Sequence, residues 1–525
     1  MAHLSFLRKS IGVILALVLM TGALFGQNNL VISNGSTVTN SGTIRVKGNI
    51  DNTGVAGATT IGGTVELKGT TGQDIGTNGN GALNFTTLTA TAVSTKTFNV
   101  DASVATALNI TSAGATQFAV AASQDLTIGG TIQNTGGAGT PYDFDNSGAV
   151  VIYNGGAQSV FTTTYDGLTV TNAGSKSLGG SITVVSALTA NSSSDLSIGA
   201  NLLTVNGTYS VSGGATVTGG ATSDLTLNGS GDIASFEVTG GLSDFILNRS
   251  NVVTLGADLT VADGFTITAG TLAVNTSTLT LNGAVTSSGT LTSAATGTVN
   301  YNKGTDVQNV LAASYGNLTF SSFAKTLPAG TVTVAGTFTP GASATHTITG
   351  NTFDFTGATQ NVPSFNGATG YNNLTLSGAA STKTATGNLE IAGNFDNGGG
   401  SDNAVTLDMG LNTLVIDGTR DNTASTIKFA GASNGQLFTT GTIEYSGTIT
   451  QTIAGGGDYN ILTFTGTGIK SIAAATTVGT NNDLSVPAGI TLQLAAGSST
   501  LNLNGTSNLT VAGTLDNAGV IEIGL

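Results

Sequence analysis

Residues 297–339 read GTVNYNKGTDVQNVLAASYGNLTFSSFAKTLPAGTVTVAGTFT. Within that stretch Tyr301, Gln308, Tyr315, Leu318 and Lys325 form a frame that recurs along the chain. The other copies are Tyr153, Gln158, Tyr165, Leu168, Lys176; Phe355, Gln360, Tyr371, Leu374, Lys383; and Tyr445, Gln451, Tyr459, Leu462, Lys470. A weaker copy reads Leu67, Gln73, Phe85, Leu88, Lys96. The second aromatic always precedes the Leu by three residues, and the Lys follows that Leu by seven to nine. Repetition of this kind is the signature of stacked supersecondary units rather than of one globular core.

The copies are unevenly spaced, with first members at 67, 153, 301, 355 and 445. Tandem domains would give one constant spacing, whereas stacked turns of 18–22 residues can insert or drop a turn between copies. Short apolar runs alternate with Thr and Ser, the period of strands with one buried face. Asn-Gly pairs follow many of them, as at Asn154-Gly155, Asn206-Gly207, Asn228-Gly229, Asn282-Gly283 and Asn504-Gly505. Such pairs suit hairpins or the left-handed corners of a solenoid. The strands are too short and too numerous for sandwich domains of about 100 residues. The expected fold is therefore all-β: a parallel β-helix, or β-solenoid, running without a break from 27 to 525. At about 20 residues per turn it would have on the order of 25 turns and a length of roughly 120 Å.

Composition bears on function mainly by exclusion. The 525 residues include 77 Gly and no Cys or Trp, and only 8% are charged. Without Cys there is no disulfide framework and no thiolate metal site. Arg8 and Lys9 precede an uncharged apolar run from Ser10 to Phe25, and Gly26 precedes a polar stretch. Residues 1–26 read as a secretory signal peptide, too short in its apolar part to span a membrane. No second long apolar segment follows, so no transmembrane helix is expected. The net charge of −14 and the absence of a basic cluster exclude nucleic acid as a partner.

Candidates for chemistry are few. After the leader the only His is His346, which reads as an outward strand residue, so a Ser/His/Asp triad and a zinc site are both excluded. Asp143, Asp145, Ser147 and Gly148 match the first half of a calcium loop, but Asn154 stands where a bidentate Glu is required. They read as an Asp-rich turn. The acidic pairs Asp143/Asp145, Asp396/Asp402 and Asp417/Asp421 have no positioned cationic partner, because Arg45, Arg249 and Arg420 are far apart. No catalysis, cofactor or metal is expected.

The frame itself has two readings. As a ligand site, Tyr153, Tyr165, Tyr301, Tyr315, Tyr371, Tyr445 and Tyr459 would be a repeated platform on which glycan rings stack. As architecture, it is the periodic corner of a rod. Tyr then covers the core edge, Gln satisfies backbone groups at a turn, and Lys points outward to keep a neutral face soluble. The second reading accounts for the recurrence better.

The pattern GTVxYNxGxxQxVxxxxYxNLTLxxxxxKTLxxGxxTVxG resembles repeats of large secreted surface proteins of Gram-negative bacteria, the broad adhesin-like, filamentous-haemagglutinin-like β-solenoid group. The resemblance covers most of the chain beyond the leader. It implies an extracellular or cell-surface rod acting in adhesion, matrix or surface-layer formation, with surface glycans or other copies of the chain as partners. The sequence departs from full-length members of that group in showing no recognisable translocator barrel, sorting domain or cell-wall anchor, so none is expected within it. The alternative is a carbohydrate-binding or carbohydrate-active β-helix, and a third reading is ice binding through outward Thr arrays. Residues 36–48 also resemble 513–524. Edge-exposed end turns of this kind are expected either in a piece of a longer chain or in a rod that stacks end to end.

Overall fold

The computed structural model describes residues 29–524, apart from 34–35, 54–57, 77–80, 137–138, 232, 234, 342–345, 367–368, 399–404, 413, 417–419, 422–424, 430–441, 446–447, 449, 454–456 and 460. The expected signal peptide at 1–26 lies outside the described residues. No helix long and apolar enough to cross a membrane occurs among them.

The strands stack on themselves one turn at a time. Thr278–Leu281, Thr298–Tyr301, Asn317–Phe320 and Phe338–Thr339 lie in parallel register on one wall. Gln308–Asn309 pairs with Lys325–Thr326 on a second wall. Ser314–Tyr315, Thr331–Val334 and Thr352–Phe355 build a third. Apart from one isolated bridge between Gly370 and Ile391, the pairings described are parallel. Parallel pairing needs a crossover between partners, and here the rest of each turn is that crossover. The result is a β-solenoid of about 21 turns, roughly 100 Å long at the strand spacing.

Turn length varies more than the expected 18–22 residues. Val150 pairs with Gly167, seventeen residues on, whereas Leu389 pairs with Leu414, twenty-five on. The longer turns explain why there are about 21 turns rather than 25. Extra residues are absorbed at corners, as at the register shift between Tyr165 and Gly167, so the inward columns stay aligned.

Those columns form one continuous core. Along one of them Leu225, Phe245, Phe265 and Val285 occupy successive turns, each almost wholly buried. The core is more aromatic than alternation of Val, Leu and Ile suggested. Phe245 and Phe265, register partners on successive turns, stack at a centroid distance of 5.9 Å, close to the strand spacing that brings like residues face to face, and Phe236 stacks on Phe245 at 5.2 Å.

The Asn-Gly corners have two different causes. Gly229 and Gly505 adopt the expected left-handed backbone, with φ of 81° and 62°. Gly283 does not. A Cβ there would meet the carbonyl oxygen of Asp263 at 1.6 Å, so glycine is required by the approach of the turn beneath.

Candidate functional site

The recurring frame spans two turns, not one. Each Gln and the Lys of the same copy lie opposite each other on neighbouring turns: Gln73 with Lys96, Gln158 with Lys176, Gln308 with Lys325, Gln360 with Lys383 and Gln451 with Lys470. In the same way Tyr301 stands beside Phe320, two residues past Leu318. The frame is therefore the cross-section of a stacked pair.

Gln is a clip across a corner. The Oε1 of Gln308 accepts the Lys303 backbone N–H at 3.2 Å, and its Nε2 donates to the Leu281 and Gly283 carbonyls of the turn below at 2.9 and 2.8 Å. Gln73 repeats this with Gly69, Val46 and Gly48; Gln158 with Gly155, Ile128 and Gly130; and Gln360 with Gly357, Val334 and Gly336. One amide thus satisfies an N–H and a carbonyl that a tight corner would bury without partners, and adds a second donor to a carbonyl that already accepts a backbone N–H. This confirms the expectation for Gln. The strand Phe245–Thr254, in a stretch that carries neither the Gln nor the Lys, solves the same problem differently. There Arg249, 1% exposed, sends its guanidinium to the carbonyls of Asn228 and Gly231.

The tyrosines are interior. Tyr153, Tyr165, Tyr301, Tyr315, Tyr371, Tyr445 and Tyr459 are each no more than 1% exposed. None offers a ring face to solvent, so none can stack on a sugar at the surface. The reason lies in their hydroxyls. Tyr301 and Tyr315 meet at 2.8 Å, Tyr153 and Tyr165 at 2.9 Å, Tyr445 and Tyr459 at 3.1 Å. In the central copy the Leu311 N–H donates to the Tyr301 hydroxyl, and the Tyr315 hydroxyl donates to the Leu311 carbonyl. Phe161 is held in the same way between Tyr153 and Tyr165. The paired hydroxyls staple a bulging corner residue to the core. Burial pushes the Tyr153 and Tyr301 phenols up to about 12 and raises Tyr165 and Tyr315 well above the ordinary value.

The lysines also differ from expectation. Lys96, Lys176, Lys325, Lys383 and Lys470 are all fully buried rather than outward. Their stems run inward over the neighbouring Gln, and their ammonium groups cap corner carbonyls. Lys325 Nζ donates to Ser321 and Phe323 at 2.9 and 2.8 Å, and Lys176 Nζ to Asn172 and Gly174 at 2.7 and 3.3 Å. Lys470 Nζ reaches the Gln451 Oε1 at 2.5 Å, and Lys383 donates to the Gly357 carbonyl. Desolvation by burial pulls Lys96, Lys325, Lys383 and Lys470 down to about 8.

His346 is buried, not outward. Its Nδ1 accepts the Lys325 backbone N–H at 3.0 Å, and its ring stacks on Phe365 at 5.1 Å. It continues the Gln and Lys wall upward by one turn. Asp143 and Asp145 flank the buried Phe144. Asp143 takes a 3.4 Å hydrogen bond from Asn146, and its carboxyl is raised by partial burial and by Asp145. Asn154 donates its N–H to Ile128 as part of the backbone ladder. Asp402 and Asp417 lie outside the described residues. Among the described residues no group of three or more His, Cys, Asp or Glu is placed to hold a metal.

Fold and frame together define a β-solenoid repeat protein whose recurrent polar residues are internal corner fittings. No known protein family matches the chain, and neither does any curated protein or solved structure.

Proposed function

We propose that the chain is a non-catalytic, secreted rod that acts as a structural or adhesive element at a bacterial surface or in an extracellular matrix. One observation carries this reading: the residues the chain repeats are spent on closing turns. Tyr, Gln and Lys recur not to meet a ligand but to satisfy backbone groups at the corners of the turns. What selection has copied is a way of extending a rod. Walls of Thr, Ser and Asn suit that role, because like charges stacked at strand spacing would repel. The resemblance to adhesin-like repeats supports the surface location and rests on the repeat pattern alone.

The test is location together with ligand screening. Antibody against the mature chain should decorate intact cells or their matrix, and purified chain should appear by electron microscopy as rods roughly 100 Å long. Protein confined to the cell interior would overturn the surface reading. Turnover of a glycan on an array would overturn the non-catalytic one, and selective glycan binding without surface display would replace it with a carbohydrate-binding role.

A further inference from the structure

One wall in the middle of the rod differs from the others in what it turns outward. Its strands are Leu259–Val261, Thr278–Leu281, Thr298–Tyr301, Asn317–Phe320 and Phe338–Thr339. The inward positions Leu259, Leu279, Val299, Leu318 and Phe338 are almost wholly buried. Outward positions alternate with them. Thr260, Thr280, Asn300, Thr319 and Thr339 make one column, in unbroken register from strand to strand. Thr278, Thr298 and Asn317 make a second column two residues back. Thr337 extends it, its N–H donating to Asn317 Oδ1 at 2.8 Å.

The threonine hydroxyls of both columns have no hydrogen-bond partner among the described residues, and each of these threonines is exposed or half-buried. The two asparagines are tied into the wall, Asn300 Oδ1 by the Ser321 hydroxyl at 3.0 Å and Asn317 Nδ2 by the Thr296 carbonyl at 3.2 Å. The columns are also uncharged. Only below Thr278 does an acid enter, where Asp258 accepts the Thr278 N–H at 2.7 Å. Other walls are interrupted by charge. The column that begins at Thr333 continues as Asp354, Thr375 and Asp396. The one that begins at Thr384 continues as Asp408, Lys428 and Glu444. A charged side chain keeps its own hydration, which is costly to displace, and the threonine wall has none to displace.

We propose that this wall binds ice. Its hydroxyls recur about 4.8 Å apart along the rod and roughly 6.6 Å apart along each strand. The first spacing is close to the repeat of water oxygens within the layers of hexagonal ice, and the second approaches the repeat along its c axis. Thr suits the task for two reasons. Its hydroxyl both donates and accepts, as a lattice water does. Its branched Cβ restricts χ1, so holding it in one rotamer costs little entropy. A water held on each hydroxyl and nested between neighbouring methyls sits near a lattice position, and the layer over the wall joins the crystal with little rearrangement. Each contact is weak, but a rigid array makes them together. The inference goes beyond the reading of a structural rod, and the location of the chain does not bear on it.

The test is incorporation into growing ice. Residues 27–525 are frozen slowly onto a seeded ice surface beside a globular control protein of similar mass, and ice and liquid are assayed for both. The parent should be enriched in the ice and should facet single ice crystals seen by microscopy, while the control stays in the liquid. Thr280→Lys and Thr319→Lys, which put a hydrated charge in the middle of the array, should each abolish the enrichment. Thr375→Lys, on a wall that already carries charge, should leave it unchanged. All three substitutions are outward, and circular dichroism and melting that match the parent assign a loss to the wall rather than to the fold. Exclusion of the parent from ice, enrichment kept by both array variants, or an equal loss in Thr375→Lys would each overturn the inference. Exclusion from ice with adsorption to crystalline cellulose would overturn it in favour of a polysaccharide-binding wall.

Discussion

Two copies of the frame solve one problem with different residues. In the central copy, Tyr301 and Tyr315 join hydroxyls and hold both the N–H and the C=O of Leu311. In the next copy Phe355 replaces the first tyrosine, so one hydroxyl is missing. The corner residue three places past the Gln is there Pro363, which has no N–H to satisfy. The one group that remains, the Pro363 carbonyl, accepts from Tyr371 at 2.7 Å. A lost acceptor is matched by a lost donor. The weak first copy makes the same point: Leu67 and Phe85 carry no hydroxyl, and Gly76, at the equivalent corner, donates instead to the Ile50 carbonyl at 2.7 Å. What is kept between copies is the closure of the hydrogen-bond account at each corner, not the side chains that achieve it.

The Gln clip is common to both copies, so its removal should be the largest effect and the same in each. Gln308→Ala takes the partner from one N–H and one carbonyl, because the Leu281 carbonyl still accepts the Asn302 N–H, and Gln360→Ala does likewise, because the Val334 carbonyl still accepts the Thr356 N–H. At about 1–3 kcal/mol for each buried unsatisfied group, less what relaxation recovers, each should cost about 2–4 kcal/mol. Because solenoid stability is a sum over neighbouring turns, amide hydrogen exchange should show the loss confined to the turns on either side. A loss at only one of the two sites would break the equivalence of the copies.

The hydroxyl exchange should be smaller and asymmetric. Tyr301→Phe removes the acceptor of the Leu311 N–H and should cost about 1–3 kcal/mol by denaturant unfolding. Adding Leu311→Pro to it rebuilds the arrangement of the Phe355 copy and should return part of that loss. Leu311→Pro alone leaves the Tyr301 hydroxyl short of a donor and should destabilise. Phe355→Tyr should gain nothing, since Pro363 has no N–H to offer. Equal costs for Tyr301→Phe with and without Leu311→Pro would show that the match between Phe355 and Pro363 is incidental.

The repeat and the solenoid were legible because strand alternation and recurrence survive in the residues themselves. The pairing of Gln with Lys was not, because the two belong to different turns and their separation follows the corner lengths. It is 17 residues for Gln308 and Lys325 but 23 for Gln360 and Lys383. The inward direction of the lysines was hidden for a general reason: Lys is almost never fully buried unless its charge is met, and here corner carbonyls meet it, two to four residues back for Lys176 and Lys325 and in the neighbouring turn for Lys96 and Lys383. His346 misled in the same way. Its acceptor role toward Lys325 exists only once the turns are stacked. Tyr165, Tyr315, Tyr371 and Tyr459 precede their Leu by three residues whether they face a sugar or a core, and only the fold brings the hydroxyls of 301 and 315 together.

These buried groups predict how the rod responds to alkali. Lys96, Lys325, Lys383 and Lys470 titrate at about 8 when folded, against 10.5 when unfolded, because burial disfavours the ammonium. Between those values the unfolded chain binds more protons than the folded one, so stability should rise with pH from about 8 toward 10.5. The phenols of Tyr153 and Tyr301 work in the opposite sense. Their folded values are pushed up to about 12 from 10.0 by the same burial, so the stability they contribute is complete below about 10 and is lost as pH climbs toward 12. Melting temperature should therefore rise and then fall, with its maximum near pH 10. The two limbs separate by mutation. Lys325→Met should flatten the rise, since Met has no proton to release, while Tyr301→Phe should flatten the fall. The Phe355 copy, lacking one of the two phenols, should contribute less to the falling limb than the central copy does. Phenolate absorbance at 295 nm (on the order of pH 12 for onset in the folded rod) checks the tyrosine limb directly: phenolate appearing at pH 10, before unfolding, would mean that the hydroxyl pairs are open to solvent.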